Sequence, residues 1–359
     1  MTSRLRSIEI EGFTSIRSAT VELGALNVLV GANSAGKSNF VHAFELLGRI
    51  ADQRLGLFVG LSGGASALLH HGAADRRIRL LVHADHGDYL AVLVPAADDE
   101  LIFEIEGIPV AHLDVQPSRG GHRESHLHDE PIPELLRACR VFHFQDASRD
   151  APVKQRVPTA DNLSLRDDAG NLAAVLLGLQ SSEDTQEQAA YRRIVRTIRL
   201  IAPFFDDFVL VPESSDRVLL RWRQQGSDAV FSANQMSDGT LRFVCLVTLL
   251  QQPRLPSVVV LDEPELGLHP SAIVLLADLI KQASARSQVL LATQSVTLMN
   301  QFSVPDLIVV ERDEQGGSVF TRPDPERLRD WLDEYSLGEL WEKHVIGGQP
   351  GTRGSITDA

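Results

Sequence analysis

The stretch Gly31-Ala32-Asn33-Ser34-Ala35-Gly36-Lys37-Ser38 fits the phosphate-loop pattern G-x-x-x-x-G-K-[S/T]. An apolar run at residues 26–30 precedes it and indicates a buried strand, and residues 39–50 carry apolar side chains at helical spacing. In a strand, turn and helix of this order, unpaired N–H groups and the positive end of the helix dipole face the turn. We therefore predict that residues 31–38 bind the phosphates of a nucleotide.

Phosphate binding explains why glycine, lysine and serine stand at these positions of the loop. Gly31 and Gly36 let the backbone bend tightly and approach the phosphates closely. Lys37 is expected to reach the β- and γ-phosphates, and the Ser38 hydroxyl is expected to ligate Mg²⁺. The predicted nucleotide-binding residues are Gly31, Asn33, Ser34, Ala35, Gly36, Lys37, Ser38 and Asn39.

A second strand ends on two carboxylates, Asp262 and Glu263. Residues 258–261 form a continuous apolar run, which suits a parallel strand covered on both faces, and ligands bind at the carboxyl ends of such strands. Asp262 is predicted to hold Mg²⁺ through its water shell, and Glu263 is placed to polarise the attacking water. A solvated turn is the alternative, and the phosphate loop in the same chain argues against it.

A further anion site is predicted at the start of the helix that follows Ser237. A strongly apolar helix is predicted over residues 241–250, and Ser237 can cap it. The N–H groups at the start of that helix are then available to a second anion.

The composition is that of a soluble globular protein. The 359 residues are 43% apolar, and no apolar run approaches the roughly 18 residues that span a bilayer. The first 25 residues lack the apolar core of a secretory signal, so we expect a cytoplasmic protein with no membrane contact. The net charge of −14 opposes non-specific nucleic-acid binding, although it leaves room for a local basic patch. Cys139 and Cys245 stand far apart in apolar surroundings and are predicted to be buried thiols.

An antiparallel meander is predicted at residues 78–83, 89–94 and 101–105. A polar segment with His112, His122, His126 and His128 follows it. Such a cluster could bind a metal ion, but its spacing matches no closed metal site, and Gly120-Gly121 indicates a mobile loop. Strands are also predicted at 7–11, 19–23, 140–144, 208–211, 218–222, 229–232, 288–293 and 306–311, and helices at 172–179, 186–201, 271–285 and 326–333.

Taken together, these features resemble ABC-type ATPases of the RecF, SMC and OLD kind, in particular the short stand-alone AAA-family members. The likeness covers nearly the whole chain. Besides residues 31–38, it rests on Met236-Ser237-Asp238-Gly239-Thr240-Leu241-Arg242, Leu261-Asp262-Glu263-Pro264-Glu265, Gly267-Leu268-His269-Pro270, Thr293-Gln294-Ser295 and Ser336-Leu337-Gly338-Glu339-Leu340-Trp341.

The resemblance implies an α/β fold, an ABC-type P-loop NTPase core with an antiparallel β meander and a small helical lobe. The whole chain, residues 1–359, would be one ATPase domain. Residues 1–50 and 232–312 would form its nucleotide-binding core, 51–231 the inserted meander and lobe, and 313–359 a C-terminal extension.

The resemblance also implies ATP and Mg²⁺ as cofactors and a homodimer formed through ATP. Its site residues would be catalytic Glu263 and Gln294, the metal-associated Ser38, Asp262 and Gln145, and the signature residues Ser237, Asp238 and Gly239, which contact the nucleotide of the second subunit.

Two departures separate this chain from transporter ATPases. The signature reads Ser-Asp-Gly in place of Ser-Gly-Gly, and Gln294 stands where transporters usually have histidine. Leu61-Ser62-Gly63-Gly64-Ala65 is similar to the signature but follows Lys37 too closely, so a glycine-rich turn is predicted there. About 65 residues follow Ser295, fewer than the nuclease domain of OLD proteins requires.

The leading hypothesis is an ATP-driven conformational switch that acts on a separate effector or partner protein, in DNA metabolism or in defence against foreign DNA. DNA is left open as a partner. A transporter subunit and an ATP-dependent DNA clamp with little turnover are the alternatives.

Overall fold

The computed structural model describes residues 4–72, 75–107, 120–127, 131–213, 216–343 and 345–347. The chain forms two compact units. It leaves unit 1 twice and returns to it twice. Unit 1 comprises Met1–Val141, Pro256–Asp262 and Ser287–Ala359, and unit 2 comprises Phe142–Leu255 and Glu263–Arg286.

The described residues contain sixteen strands and eleven α-helices. The strands are β1 (Leu5–Phe13), β2 (Ile16–Glu22), β3 (Leu26–Val30), β4 (Ile78–Ala84), β5 (Gly87–Pro95), β6 (Leu101–Gly107), β7 (Cys139–Phe142), β8 (Val157–Pro158), β9 (Phe205–Phe208), β10 (Arg217–Val218), β11 (Arg221–Gln224), β12 (Val230–Ser232), β13 (Val258–Asp262), β14 (Gln288–Thr293), β15 (Leu307–Arg312) and β16 (Ser318–Thr321). The α-helices are α1 (Lys37–Ala51), α2 (Leu55–Leu61), α3 (Ala65–Leu68), α4 (Pro131–Arg137), α5 (Leu172–Ser181), α6 (Thr185–Ile201), α7 (Asp238–Gln251), α8 (Pro270–Ser284), α9 (Val296–Met299), α10 (Pro325–Leu332) and α11 (Leu337–Glu342).

A six-stranded sheet of order β16-β15-β3-β14-β13-β7 organises unit 1. Strands β15, β3, β14 and β13 run parallel to one another, and β16 is antiparallel to β15. All five residues of β3 and all six of β14 are buried, as expected for strands covered on both faces.

The predicted meander is confirmed as β4, β5 and β6. It belongs to a five-stranded antiparallel sheet of order β2-β1-β4-β5-β6, in which β1 pairs with β4 and β2 pairs with β1, and neither pairs with β3. In β4 the side chains alternate between buried and half-buried positions, which is typical of a sheet with one face on the core.

Helix α1 supplies much of the core of unit 1. Phe40 and Phe44 lie one turn apart with ring centroids 5.4 Å from each other, and both are at most 1% exposed. The helix packs on β13 and β14 of the parallel sheet and on β1 of the antiparallel sheet. Helix α1 therefore joins the two sheets of this unit.

Unit 2 contains helices α5 to α8, with α6 and α7 packed against each other. The apolar stripe predicted on α6 is buried, with Ile194 and Ile198 fully inaccessible to solvent. Asp184 caps α6 by accepting a hydrogen bond from the N–H of Gln186 at 2.7 Å.

One predicted strand was misplaced, and one helix was missed. The strand predicted at 208–211 lies at Phe205–Phe208, where Phe205 and Phe208 are buried and Asp206 pairs with Arg199 and Arg223. The two intervening aspartates hide this strand in the sequence, because charged residues disfavour strands when their partners are unknown. Helix α2 was not predicted, since two glycines interrupt its sequence.

Both cysteines are free and buried, as predicted. Burial raises the pKa of the Cys139 thiol and that of the Cys245 thiol to about 12. The turn predicted at residues 62–64 is also present, between α2 and α3.

Candidate functional site

The loop 31–36 leaves β3 and enters α1 through two glycines that the structure requires. A Cβ atom at Gly31 would lie 2.3 Å from the main-chain oxygen of Val310. Gly36 has φ +117°, and a Cβ atom there would lie 2.0 Å from Ser318 Oγ. Only glycine fits either position, so the loop is held close to β15 and β16.

Lys37 is the first residue of α1 and is 4% exposed. Its Nζ donates hydrogen bonds to the main-chain oxygens of Gly31 at 2.7 Å and Ala32 at 2.9 Å. The ammonium group therefore lies inside the curve of the loop. Ser38, the next residue, has an exposed side chain.

The start of α1 suits an anion. Within residues 36–39, no side chain caps the helix and no acidic residue lies in its first turn. The helix itself therefore places no carboxylate on its first N–H groups or at the positive end of its dipole.

A chain of hydrogen bonds connects the loop and the start of α1 to Ser15 and Ser318. Asn39 Nδ2 donates to Ser15 Oγ at 2.6 Å, the two hydroxyl oxygens of Ser15 and Ser318 lie 2.7 Å apart, and Ser318 Oγ donates to the Ala35 oxygen at 2.7 Å. Arg312 Nε donates to the Ser34 oxygen at 2.8 Å. Ser15, Arg312 and Ser318 were missed by the sequence reasoning, because no pattern links residues so far apart in the chain.

The register of the parallel sheet brings three predicted site segments to one edge. Val30, the last residue before the loop, lies opposite Thr293, and Ala292 lies opposite Asp262. The loop, Gln294 and Asp262 therefore follow or end three adjacent strands at their carboxyl ends. This edge is where ligands bind in parallel sheets.

The oxygen donors at this edge suit a magnesium ion. Ser38 offers a hydroxyl and Asp262 a carboxylate, and Mg²⁺ prefers oxygen ligands together with waters and substrate phosphates. In the described parts of the chain, no group of three or more His, Cys, Asp or Glu side chains could hold a metal ion by itself. The donor set therefore fits a metal brought with a nucleotide. Gln145, the third predicted metal residue, belongs to unit 2.

In unit 2, Ser237 caps α7 as predicted, accepting a hydrogen bond from the N–H of Thr240 at 3.3 Å. Asp238 is the first residue of this helix. A Cβ atom at Gly239 would lie 2.3 Å from the main-chain oxygen of Gly267. The predicted signature segment is thus packed directly against the turn that follows Glu263.

Arg242, one turn into α7, joins two loops of unit 2. Its Nη1 donates to the Leu266 oxygen at 3.1 Å, and its Nη2 donates to the Gln145 oxygen at 2.7 Å. Arg242 closes the motif at residues 236–242, but the motif alone does not indicate its role. The guanidinium fixes the signature helix, the turn after Glu263 and the Gln145 loop relative to one another.

Glu263 has a left-handed backbone, with φ 46°. The turn that it begins is closed by a hydrogen bond from the N–H of Leu266 to the Glu263 oxygen at 3.2 Å. His269 ends the turn and caps α8, its Nδ1 accepting from the N–H of Ser271 at 3.3 Å.

The histidine-rich segment is only partly described, since His112 and His128 lie outside the described residues. His122 Nε2 lies 2.9 Å from a carboxylate oxygen of the buried Glu106, and its ring stacks on that of Phe103. Gly121, predicted to lie in a mobile loop, donates from its N–H to the Phe103 oxygen at 2.7 Å. The described part of this segment is therefore attached to the edge of β6.

A family model described as "AAA domain, putative AbiEii toxin, Type IV TA system" (AAA_21) matches residues 26–300. This range begins with β3 and ends just after α9, so it includes every predicted site residue. No curated protein matches the chain.

Solved structures of SMC head domains share the fold. One SMC head, bound to the C-terminal winged-helix domain of ScpA, has a TM-score of 0.59 and 16% identity, covering 91% of this chain and 99% of its own. An SMC head from Pyrococcus furiosus, bound to the C-terminal domain of ScpA, has a TM-score of 0.58 and 15% identity, with 92% and 99% coverage. One from Pyrococcus yayanosii has a TM-score of 0.58 and 12% identity, with the same coverage. The predicted ABC-type P-loop fold is confirmed by these matches. Across the described residues, no helix has the length and apolar character needed to cross a membrane.

Proposed function

Because the chain belongs to the AAA_21 family of AAA domains, we propose that it binds ATP with Mg²⁺, hydrolyses it, and uses the cycle to change its association with a second copy of itself. The observation that carries this proposal is the sheet register, which sets the loop 31–38, Asp262 and Gln294 at the carboxyl ends of three adjacent strands.

The proposed roles follow from the chemistry of each group. Lys37 and the N–H groups at the start of α1 bind the phosphates, while Ser38 and Asp262 hold Mg²⁺ directly or through water. Glu263, next in the chain after Asp262, acts as the general base for the attacking water, and Gln294 contacts the γ-phosphate side of the site. Gln145 supports the metal and its water.

The second half of the proposed site comes from a partner copy. Ser237, Asp238 and Gly239 begin a 14-residue helix whose N–H groups suit an anion. In the proposed dimer they contact the γ-phosphate bound by the other subunit, and two-fold symmetry makes the contact reciprocal. Loss of the γ-phosphate on hydrolysis removes that shared contact and lets the copies separate.

We further propose that this switch acts on a separate partner protein in the cytoplasm. Two of the matched SMC heads are bound to domains of ScpA, which supports a protein partner for a head of this fold. The family description and the resemblance to RecF and OLD proteins favour a role in DNA metabolism or in defence against foreign DNA.

The test measures ATP binding and turnover by the purified chain with Mg²⁺. Lys37→Ala should abolish tight ATP binding, because it removes the full positive charge inside the loop. Lys281→Ala is the matched control, since Lys281 is an exposed residue of α8 and should leave binding unchanged.

Wild-type affinity in Lys37→Ala would show that the phosphates bind elsewhere. Binding without turnover in the wild-type protein would contradict the hydrolysis step and favour an ATP-dependent clamp.

A further inference from the structure

A narrow crevice with no room for a water molecule lies beside Gln294, the residue proposed to contact the γ-phosphate side of the site. Its lining residues are Val30, Thr293, Gln294, Ser295, Met299 and Trp341. Five of these belong to β3, β14 and the segment just after β14. Trp341 comes from α11, near the end of the described chain.

Helix α11 is seated firmly on α9, which begins two residues after Gln294. Leu340 is fully buried, and the N–H of Gly338 donates to Asn300 Oδ1 at 2.6 Å. A Cβ atom at Gly338 would lie 2.3 Å from Val296 Cγ1, so the two helices touch at the backbone of α11.

The start of α11 is fixed as well. Ser336 and Glu339 form a capping box, in which each side chain accepts a hydrogen bond from the other residue's N–H. The backbone of α11 is therefore held at its start and along its contact with α9, and Trp341 lines the crevice from this helix.

We propose that Trp341 is a positioning residue for Gln294, so that α11 holds the γ-phosphate contact in its active geometry. This inference rests on the proposed ATPase function. Gln294 comes directly after the last residue of β14, and its side chain and the Trp341 indole line the same crevice. Because the crevice has no room for a water molecule, close packing against the indole restricts the rotamers that the Gln294 side chain can adopt.

The first experiment compares steady-state ATP hydrolysis of three tryptophan variants. Trp341→Ala should lower kcat at least tenfold and leave KM for ATP within twofold, since Trp341 acts on Gln294 and not on the loop 31–38. Trp341→Phe should recover most of the rate, because a second aromatic ring still walls the crevice. Trp331→Ala is the matched control: Trp331 is 46% exposed on α10 and its loss should change neither constant.

The second experiment displaces α11 without removing the indole. Gly338→Ala should lower kcat through the contact with Val296, although alanine is the better helix former. Val296→Ala alone should stay within about twofold of the wild type, and the double variant should regain much of the lost rate because the Cγ1 atom is gone. If Trp341→Ala is unfolded at the assay temperature, this pair decides the question.

The outcomes separate the two proposals. Wild-type turnover with an unchanged kcat in both Trp341→Ala and Gly338→Ala would overturn the positioning role and leave the ATPase proposal standing. An equal rise in KM and fall in kcat would also overturn it, since that result would indicate a general loss of structure. No turnover in the wild type would overturn the proposed function, and the positioning role with it.

Discussion

The guanidinium of Arg242 and the main chain of Gln145 are joined by a 2.7 Å hydrogen bond from Nη2 to the carbonyl oxygen, although the two residues are 97 positions apart. The same guanidinium reaches the Leu266 oxygen through Nη1. One side chain on the signature helix thus holds two loops that the sequence places in separate motifs.

Arg242→Ala should loosen both loops at once. We expect a loss of about 1–3 kcal/mol in the free energy of unfolding, the usual worth of hydrogen bonds from a charged group, and a lower rate of ATP turnover. Urea unfolding and a turnover assay measure the two effects. Arg223→Ala is the matched control, since Arg223 is an exposed residue of the same unit that pairs with Asp206. Equal behaviour of the two variants would show that the bridging contacts are dispensable.

Glu263→Gln should keep ATP binding and reduce hydrolysis by roughly 10²–10⁴-fold, the contribution of a positioned general base. The amide has nearly the same shape as the carboxyl group but cannot take a proton from water. Release of phosphate under saturating ATP measures the effect. Glu314→Gln, in the exposed turn between β15 and β16, should leave the rate unchanged. A wild-type rate in Glu263→Gln would place the base elsewhere.

The proposed dimer should accumulate when ATP binds but is not hydrolysed. Light scattering of Glu263→Gln with ATP should therefore report a doubled mass, and adding Ser237→Arg should return it to that of one chain, because the long cation fills the position of the partner's γ-phosphate. Ser181→Arg, at the exposed end of α5, should leave the dimer intact. If the mass of Glu263→Gln is the same with and without ATP, the nucleotide does not bridge two copies.

The two buried thiols give a pH-dependent signature of the folded state. Their pKa of about 12 lies above the value near 8.5 of an unfolded cysteine, so the folded chain retains their protons longer. Their contribution to stability is fully present below pH 8.5 and is lost as the pH rises toward 12.

At pH 8, a thiol reagent should label Cys139 and Cys245 only as fast as the chain unfolds, and both should react at once in denaturant. Between pH 9 and 11, the variant Cys139→Ala with Cys245→Ala should lose less stability than the wild type. Rapid labelling of the native chain would contradict the burial.

Much of the fold could be predicted because its signals are local. The bounds of β3 and β14 and the buried face of α6 follow from apolar runs and helical spacing, and Ser237 was recognised as a cap from its place before an apolar run. The pairing of β1 with β4 could not be predicted, since the alternating pattern of a strand does not identify the strand with which it pairs.

The residues of the candidate site also divide into those that a local sequence pattern reveals and those that it does not. Lys37 and Asp262 were found because each stands in a contiguous pattern. Arg312, Ser318 and Trp341 were not assigned roles, because each acts through a main-chain oxygen or a packing surface contributed by a distant segment. The register of β13 and β14 was needed to show that Asp262, the last residue of β13, and Gln294, the residue after β14, lie at the ends of neighbouring strands.

The backbone conformation of Glu263 favours its proposed catalytic role at the expense of thermal stability. A non-glycine residue at φ 46° carries a strain of roughly 1–2 kcal/mol that glycine would not. Glu263→Gly should therefore raise the melting temperature of the chain while removing the proposed base. A selection for heat resistance alone would enrich this substitution and lose the proposed ATP hydrolysis. Only a selection that also demands ATP turnover would keep glutamate in a conformation that disfavours it.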